Sequence, residues 1–141
     1  MTTQTALLIW MSGTLAGSML FFGIVVAPKV FQALPSQQAG VFLRALFPRY
    51  YAWGLIVALL SLVAALFVDL AASLGCAAVA ALFVYARQVL MPRINGARDA
   101  ALAGDHQAKQ RFDRLHRLSV IINGLQLLLL LAIAGWSLWG L

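Results

Sequence analysis

Residues 118–141 read LSVIINGLQLLLLLAIAGWSLWGL, 24 residues without a charged side chain. An α-helix rises about 1.5 Å per residue, so about 20 apolar residues are enough to cross the hydrocarbon core of a bilayer, which is about 30 Å thick. Three more stretches of the chain pass the same test. We therefore predict an all-α, integral membrane four-helix bundle that forms a single transmembrane domain over residues 1–141. Its predicted spans are residues 6–27, 50–68, 72–91 and 118–139.

The composition of the whole chain agrees with a lipid environment. Of the 141 residues, 63% are hydrophobic and 10% are charged, whereas soluble domains are about 45–50% apolar and about 25% charged. A net charge of +6 would suggest nucleic acid as the partner of a soluble protein. Here the basic residues flank apolar spans, so membrane orientation and anionic lipid head groups explain the charge better. Membrane lipids are the expected partners, and nucleic acid is not.

Common catalytic and metal-binding motifs are missing from the sequence. The single cysteine, Cys76, and the two histidines, His106 and His116, do not have the spacing of a zinc site. There is no glycine-rich phosphate loop and no nucleophile elbow. We therefore predict no catalytic residue, no metal ligand and no cofactor, and an enzyme is not the favoured interpretation.

The distribution of basic residues predicts the orientation in the membrane. None lies in residues 1–5, in the turn that follows Asp69 or towards the C-terminus, and all ten lie in or beside the segments that join spans one to two and three to four. Because positively charged loops stay in the cytoplasm, we predict a multi-pass protein of the inner (plasma) membrane. Both loops are then cytoplasmic, and both termini lie on the periplasmic side. The basic residues are Lys29, Arg44, Arg49, Arg87, Arg93, Arg98, Lys109, Arg111, Arg114 and Arg117.

Two parts of the chain resemble each other. The segment 27–30, Ala-Pro-Lys-Val, is similar to the segment 91–94, Met-Pro-Arg-Ile, and further on four residues recur at one constant offset after a six-residue insertion. This pattern favours two helix-pair units, residues 1–69 and 70–141, in the same membrane orientation, as in parallel transporter repeats. Chance similarity between apolar segments is the alternative. The recurring residues are Phe42, Arg44, Gly54 and Leu55, matched by Phe112, Arg114, Gly124 and Leu125.

Both units are expected to extend beyond the bilayer on the cytoplasmic side. In the first unit, Ser36 is the predicted N-cap of a short helix that runs to Phe47 and lies on the membrane surface. In the second unit, Asp105 is the predicted cap of a long helix that enters span four. Charge pairs at i,i+4 from Asp113 to Lys109 and Arg117 would support that helix.

No charged side chain lies near the centre of any predicted span, which argues against an ion-coupled transporter.

Small residues in span one suggest close helix packing. Gly13 and Gly17 form a G-x-x-x-G pattern, which lets another helix approach closely. Packing within the bundle is the favoured interpretation of this pattern, and a homodimer interface is the alternative.

A polar stripe on the fourth span is the candidate binding surface. His116, Ser119 and Asn123 share one helix face, and Gln126 lies within about 40° of it, at about 100° per residue. The candidate set also includes Arg114, which precedes His116 by two residues. A ligand or solute contact is one interpretation of the stripe, and a set of interhelical hydrogen bonds is the alternative.

Several motifs, taken in order, resemble one known family. They are Phe31-x-x-Leu34-Pro35, Leu46-Phe47-Pro48-x-Tyr50, Pro92-Arg93 and Phe112-x-Arg114-x-His116-x-Leu118-Ser119-x-x-x-Asn123. The pattern is similar to the family of uncharacterised membrane proteins named after human transmembrane protein 205. The resemblance implies a four-span membrane protein and no established biochemical activity.

Three classes of function remain open at this point. A membrane scaffold or accessory protein, which binds another membrane protein or forms a homodimer, best fits the small size and the lack of charges inside the spans. A passive or facilitated path for a small solute or metal ion is the first alternative, supported by the duplication and by the polar groups of span four. A haem- or metal-binding redox protein is the second, with His106 and His116 as the only imidazoles.

Overall fold

Four long helices account for nearly all of residues 1–139, the part of the chain that the computed structural model describes. They span Thr3–Ala33, Ser36–Ala65, Leu70–Leu102 and His106–Trp139, and each is long and apolar enough to cross a membrane. No strand occurs within the described residues. The prediction of an all-α membrane protein with four candidate spans is therefore confirmed. In detail, the helices are α1 (Thr3–Phe21), α2 (Ala27–Ala33), α3 (Ser36–Ala65), α4 (Leu70–Tyr85), α5 (Met91–Leu102) and α6 (His106–Trp139).

The outer surface of the bundle is apolar. Only 22% to 39% of the most apolar stretch of each long helix is buried inside the protein, and large side chains such as Trp10, Ile24 and Leu128 are more than 60% exposed. Soluble monomers rarely expose contiguous apolar surface on this scale. Lipid is the solvent that this surface requires.

A π-helical turn lies one residue before a proline in the first and third long helices. The first turn is Phe22–Val26, followed by Ala27 and Pro28, and the second is Ala86–Leu90, followed by Met91 and Pro92. A proline ring collides with the carbonyl group four residues earlier in a regular helix, and a wider turn relieves that contact. The helices therefore continue past both prolines instead of ending there.

Helix α3 corrects the prediction of a separate surface helix from Ser36 to Phe47. It runs without interruption from Ser36 through Pro48 to Ala65, and Pro35, not Ser36, is the residue at its N-cap. The first half of α3 has a packing face of its own, with Ala39 and Leu43 buried, and it is tied to α5. The segment is therefore continuous with the rest of α3 and packs beside α5.

The predicted start of the fourth long helix is confirmed. The Asp105 carboxylate accepts hydrogen bonds from the backbone N–H groups of Gln107 (2.9 Å) and Ala108 (3.1 Å). The turn before it uses Gly104, whose φ of +102° favours a residue without a side chain. Lys109 and Asp113 form the expected ion pair at 3.2 Å, whereas no Asp113–Arg117 pair forms within the described residues.

The core of the bundle consists of two clusters stacked along its axis. The cluster nearer the ten basic residues joins α1, α3, α4 and α6 through Leu15, Val57, Val79 and Leu130. The other lies towards the turn between α3 and α4 and contains Leu8, Ala65, Cys76 and Ile133. Aromatic rings extend the first cluster to the point where α1 meets α3, with the Phe22 and Tyr50 rings stacked at 4.5 Å between centroids.

Candidate functional site

All ten basic residues lie at one end of the bundle, called here the basic end, in α2, the first half of α3, α5, the π-helical turn before α5 and the start of α6. A small cavity of about 80 Å³ lies at this end between these segments. We call it the basic-end chamber. It has room for a few water molecules. Polar side chains from three of the helices contribute to its wall: Arg44 and Tyr51 from α3, Asn95 and Arg98 from α5, and Ser119 from α6.

Two arginines of the chamber are already held by protein groups. Arg44 donates two hydrogen bonds to the Asp99 carboxylate, at 2.7 Å and 3.0 Å, and so ties α3 to α5. The hydrogen bond from Arg44 holds the pKa of Asp99 below its ordinary value. Arg98 donates to the Ser36 carbonyl oxygen at 3.4 Å, and its guanidinium occupies the space beside Gly40 where a Cβ would stand. The chamber wall is thus a structural contact between α3 and α5.

The Arg44–Asp99 pair makes the contact between α3 and α5 pH-dependent in one direction. The folded-state pKa of Asp99 is depressed, so the pair stabilises the fold above the ordinary pKa of an aspartate, about 3.9. That stabilisation is lost as the pH falls through the folded-state pKa. Both side chains are about half exposed, so the contribution is small.

The predicted polar stripe of α6 is divided by the fold. His116 is exposed at the surface, and its ring stacks on Phe112 at 5.9 Å between centroids. Ser119 is buried against the chamber and donates to the His116 carbonyl oxygen at 2.7 Å. Asn123 and Gln126 continue into the interior, whereas Arg114 is exposed and lines a different groove. The structure therefore keeps Ser119, Asn123 and Gln126 in one interior row and leaves the other two candidates outside it.

At Gln126 the stripe makes an interhelical hydrogen bond. The side chain is fully buried, and its Nε2 donates to the Val79 carbonyl oxygen of α4 at 3.3 Å. Such bonds inside membranes contribute about 0.6 kcal/mol on average. Gln126 therefore forms an interhelical hydrogen bond, which was the alternative interpretation of the stripe. A role for this residue in binding stays a prediction.

Two amide oxygens of the row have no hydrogen-bond donor among the described residues. They are Oδ1 of Asn123 and Oε1 of Gln126, and both are buried. A buried unpaired carbonyl oxygen costs about 1–3 kcal/mol. An O–H or N–H donor, from water or from a ligand that enters past Ser119, would remove that cost. These two oxygens can only accept hydrogen bonds, because an amide oxygen is not a donor and does not titrate.

The middle of the bundle is closed by large apolar side chains. Leu8, Leu15, Val79, Phe83 and Leu130 are each at most 1% exposed and come from three different helices. Among the buried polar groups at this depth, the Ser61 hydroxyl donates to the Val57 carbonyl oxygen of its own helix at 2.9 Å, and Gln126 donates to the Val79 carbonyl oxygen of α4. Apolar side chains therefore fill most of the middle of the bundle within the described residues.

The structure does not pack Gly13 and Gly17 within the bundle, which corrects the favoured interpretation of this pair. Both are exposed, and a Cβ added to either would meet no atom of another residue within 4 Å. The small-residue face of α1 therefore points away from the other three long helices. Packing against a helix of another chain remains a prediction for this pair.

The two histidines lie far apart on the same helix. His106 begins α6, and both imidazoles are exposed. Ten residues along an α-helix correspond to about 15 Å, which is too far for both side chains to bind one iron within a single chain. No group of three His, Cys, Asp or Glu side chains is placed to hold a metal ion among the described residues.

Sequence reasoning missed the contact between α3 and α5. Asp99 is one of only four acidic residues. The duplicated pattern could have indicated its role, because the segment of Arg44 matches the start of α6, and the start of α6 packs on α5. The close contact of Gly54 with the Phe83 ring was also missed. Nothing in the sequence distinguishes this glycine from its repeat equivalent, Gly124.

Comparison with known proteins gives one family match. A family model described as a domain of unknown function, DUF4149, matches residues 10–103, or 94 of the 141 residues. The match ends at the turn before α6, so it includes the arginines of the chamber and excludes the interior polar row. No curated protein and no solved structure matches the chain.

Proposed function

The chain belongs to the DUF4149 family, whose shared domain has no known function, and we propose that this member is a membrane scaffold or accessory protein. It binds other membrane components at its surface and does not process a small molecule inside the bundle. The apolar filling of the middle of the bundle carries this proposal, since its large side chains are at most 1% exposed and the chamber beside them is small. Typical ligand clefts have about 300–1,000 Å³, against about 80 Å³ for the basic-end chamber.

The open face of α1 is the proposed contact surface. Within the described residues, no other helix of the chain covers Gly13 or Gly17. A helix face with the G-x-x-x-G pattern can pair closely with a face of another helix. We assign a second copy of the chain as the occupant. All copies of a membrane protein share one orientation, so two α1 helices lie parallel and present the same face to each other. A two-fold axis along the membrane normal then makes the contact self-complementary.

The finer features of this membrane protein are part of the same proposal. It lies in the inner membrane with its basic end in the cytoplasm, and it is a relative of the transmembrane protein 205 family. It arose by duplication of a helix pair, residues 1–69 and 70–141, of which the last two residues lie outside the described part. The two π-helical turns, 64 residues apart, and the starts of α3 and α6, 70 residues apart, support the duplication because the similar sequence segments have the same two offsets.

Photo-crosslinking from α1 tests the scaffold proposal. A photoreactive amino acid replaces Gly13 in one variant and Gly124 in the other; both positions are open, exposed and on membrane-crossing helices. In native membranes we expect a discrete protein adduct from position 13, with α1 of a second copy identified by peptide mass. Position 124 should give only lipid adducts.

Two outcomes would count against this assignment. Lipid adducts alone at position 13 mean that the α1 face is simply covered by the bilayer, and the surface proposed for the scaffold is then wrong. An adduct of position 13 with a different membrane protein keeps the scaffold function and overturns the second copy as its occupant. Folded yield and melting temperature of both variants serve as the control for structural damage.

A path for a small solute is the second candidate, favoured by the unpaired oxygens of Asn123 and Gln126, which follow Ser119 of the basic-end chamber along α6. Reconstituted wild-type protein would then increase solute flux into liposomes over empty liposomes. In that case Asn123→Leu should lower the flux in stably folded protein, while Ser61→Ala, a buried change elsewhere, should not. Absence of flux in the wild type, together with a loss of stability in Asn123→Leu, assigns the row to structure.

A further inference from the structure

A second groove lies at the basic end, on the outer face of the hairpin formed by α5 and α6. Its volume is about 540 Å³, within the usual range of ligand clefts. At about 100° per residue, Arg93 and Gly96 lie on the side of α5 opposite Asn95 and Arg98, which face the basic-end chamber. We call it the hairpin groove. Its lining is Arg93, Gly96, Ala97, Arg111, Arg114 and Leu115.

The hairpin groove carries unbalanced positive charge. Arg111 forms an ion pair with Asp105, with 3.6 Å between the guanidinium nitrogen and the carboxylate oxygen, and both side chains are about half exposed. Arg93 and Arg114 form no ion pair within the described part of the chain. The aspartates that form ion pairs there are bonded to Arg44, Lys109 and Arg111 instead. Guanidinium groups bind phosphate oxygens through paired hydrogen bonds. Three of them around one cleft form a site for an anion with several oxygens.

The predicted spans place the groove at the depth of the headgroup layer of a bilayer. Arg114 precedes Leu118, the start of the predicted fourth span, by four residues, which is about 6 Å along the helix. Arg93 lies two residues beyond the end of the third predicted span. Headgroup layers are about 5–7 Å thick on each side of the hydrocarbon core. Two of its lining residues, Ala97 and Leu115, are apolar and suit the glycerol and upper acyl carbons of a lipid.

From these observations we propose that the hairpin groove is a binding site for the phosphate headgroup of an anionic phospholipid. Arg93 and Arg114 contact the phosphodiester, and Arg111 closes the outer side. Gly96 has no side chain, and a Cβ there would meet no atom within 4 Å, so the groove stays open on α5. The assignment does not depend on the scaffold function or on which side of the membrane the basic end faces.

Native mass spectrometry of the purified full chain, with phosphatidylglycerol or phosphatidylcholine added, tests this site. We expect one phosphatidylglycerol to be retained in preference to phosphatidylcholine. Arg114→Gln should weaken that retention about tenfold or more, the scale of one lost charge-assisted contact. Gly96→Leu should weaken it similarly by filling the groove while leaving every charge in place. Helix propensity predicts no loss of folding for Gly96→Leu.

Arg49→Gln is the matched control, since Arg49 is exposed at the basic end and its only hydrogen bond within the described residues goes to the Ala45 carbonyl oxygen of its own helix. It removes one positive charge outside the groove and should leave retention unchanged. Equal loss in Arg49→Gln and Arg114→Gln would mean diffuse attraction and overturn the site. Millimolar inorganic phosphate that binds alone and displaces the lipid would overturn the lipid in favour of a soluble phosphate.

Discussion

Gly54→Leu is expected to abolish the folded protein, whereas Gly124→Leu is expected to leave its melting temperature nearly unchanged. Gly54 is buried in α3, and a Cβ at this position would collide with the Phe83 ring of α4. That ring is 1% exposed and packs near Tyr51, at 6.4 Å between centroids, so it has little room to move. Overpacking of a filled core costs about 1–3 kcal/mol and sometimes more, and a whole leucine side chain adds far more than one carbon.

Gly124 is a close control for Gly54 within the same molecule. The two glycines occupy equivalent positions of the duplicated sequence pattern, but Gly124 is exposed and a Cβ there meets no atom within 4 Å. Leucine also favours a helix over glycine by nearly 1 kcal/mol. Fluorescence-detected size exclusion and thermal melting in detergent measure both variants. Equal stability of the two would show that α3 and α4 are not in close contact at this level.

The second large effect is expected from alkaline phosphatase fusions in a bacterial host. This enzyme needs disulfide bonds, which form in the periplasm and not in the cytoplasm. A fusion after Leu141 should be active, and so should one after Val68, in the turn between α3 and α4. A fusion after Ala103, at the tip of the α5–α6 hairpin, should be inactive. The reason is the concentration of all ten basic residues at one end of the bundle.

Immunoblots must show that the three fusions are made in comparable amounts. Activity at Ala103 together with inactivity at Leu141 would reverse the orientation and put the basic end in the periplasm. The Arg44–Asp99 contact and the hairpin groove would be unaffected by that result, since their geometry is independent of the side on which they lie. The proposed cytoplasmic location of the basic end would be wrong.

The sequence alone determined the fold class of this protein, because a bilayer leaves few alternatives. Backbone groups find no water in the hydrocarbon core, so four uncharged stretches of sufficient length must be helices. Local chemistry also determined the start of α6, since the Asp105 side chain reaches only the first backbone N–H groups of its own helix. The start of a helix at Ser36 was predicted for a related reason, but how far and in which direction that helix runs was not.

Only the tertiary structure decided which way each helix face points. Helical periodicity identifies residues that share a face, as for Gly13 and Gly17 or for His116 and Asn123, but it does not give the rotation of that face within the bundle. In a soluble protein, hydrophobicity would supply this rotation, because the core is apolar and the solvent is not. In a membrane, both the core and the surroundings are apolar, so the pattern carries little information about inside and outside. Packing between helices, which no single helix encodes, decides the outward face of α1, the burial of Gly54 but not Gly124, and the contact of the first half of α3 with α5.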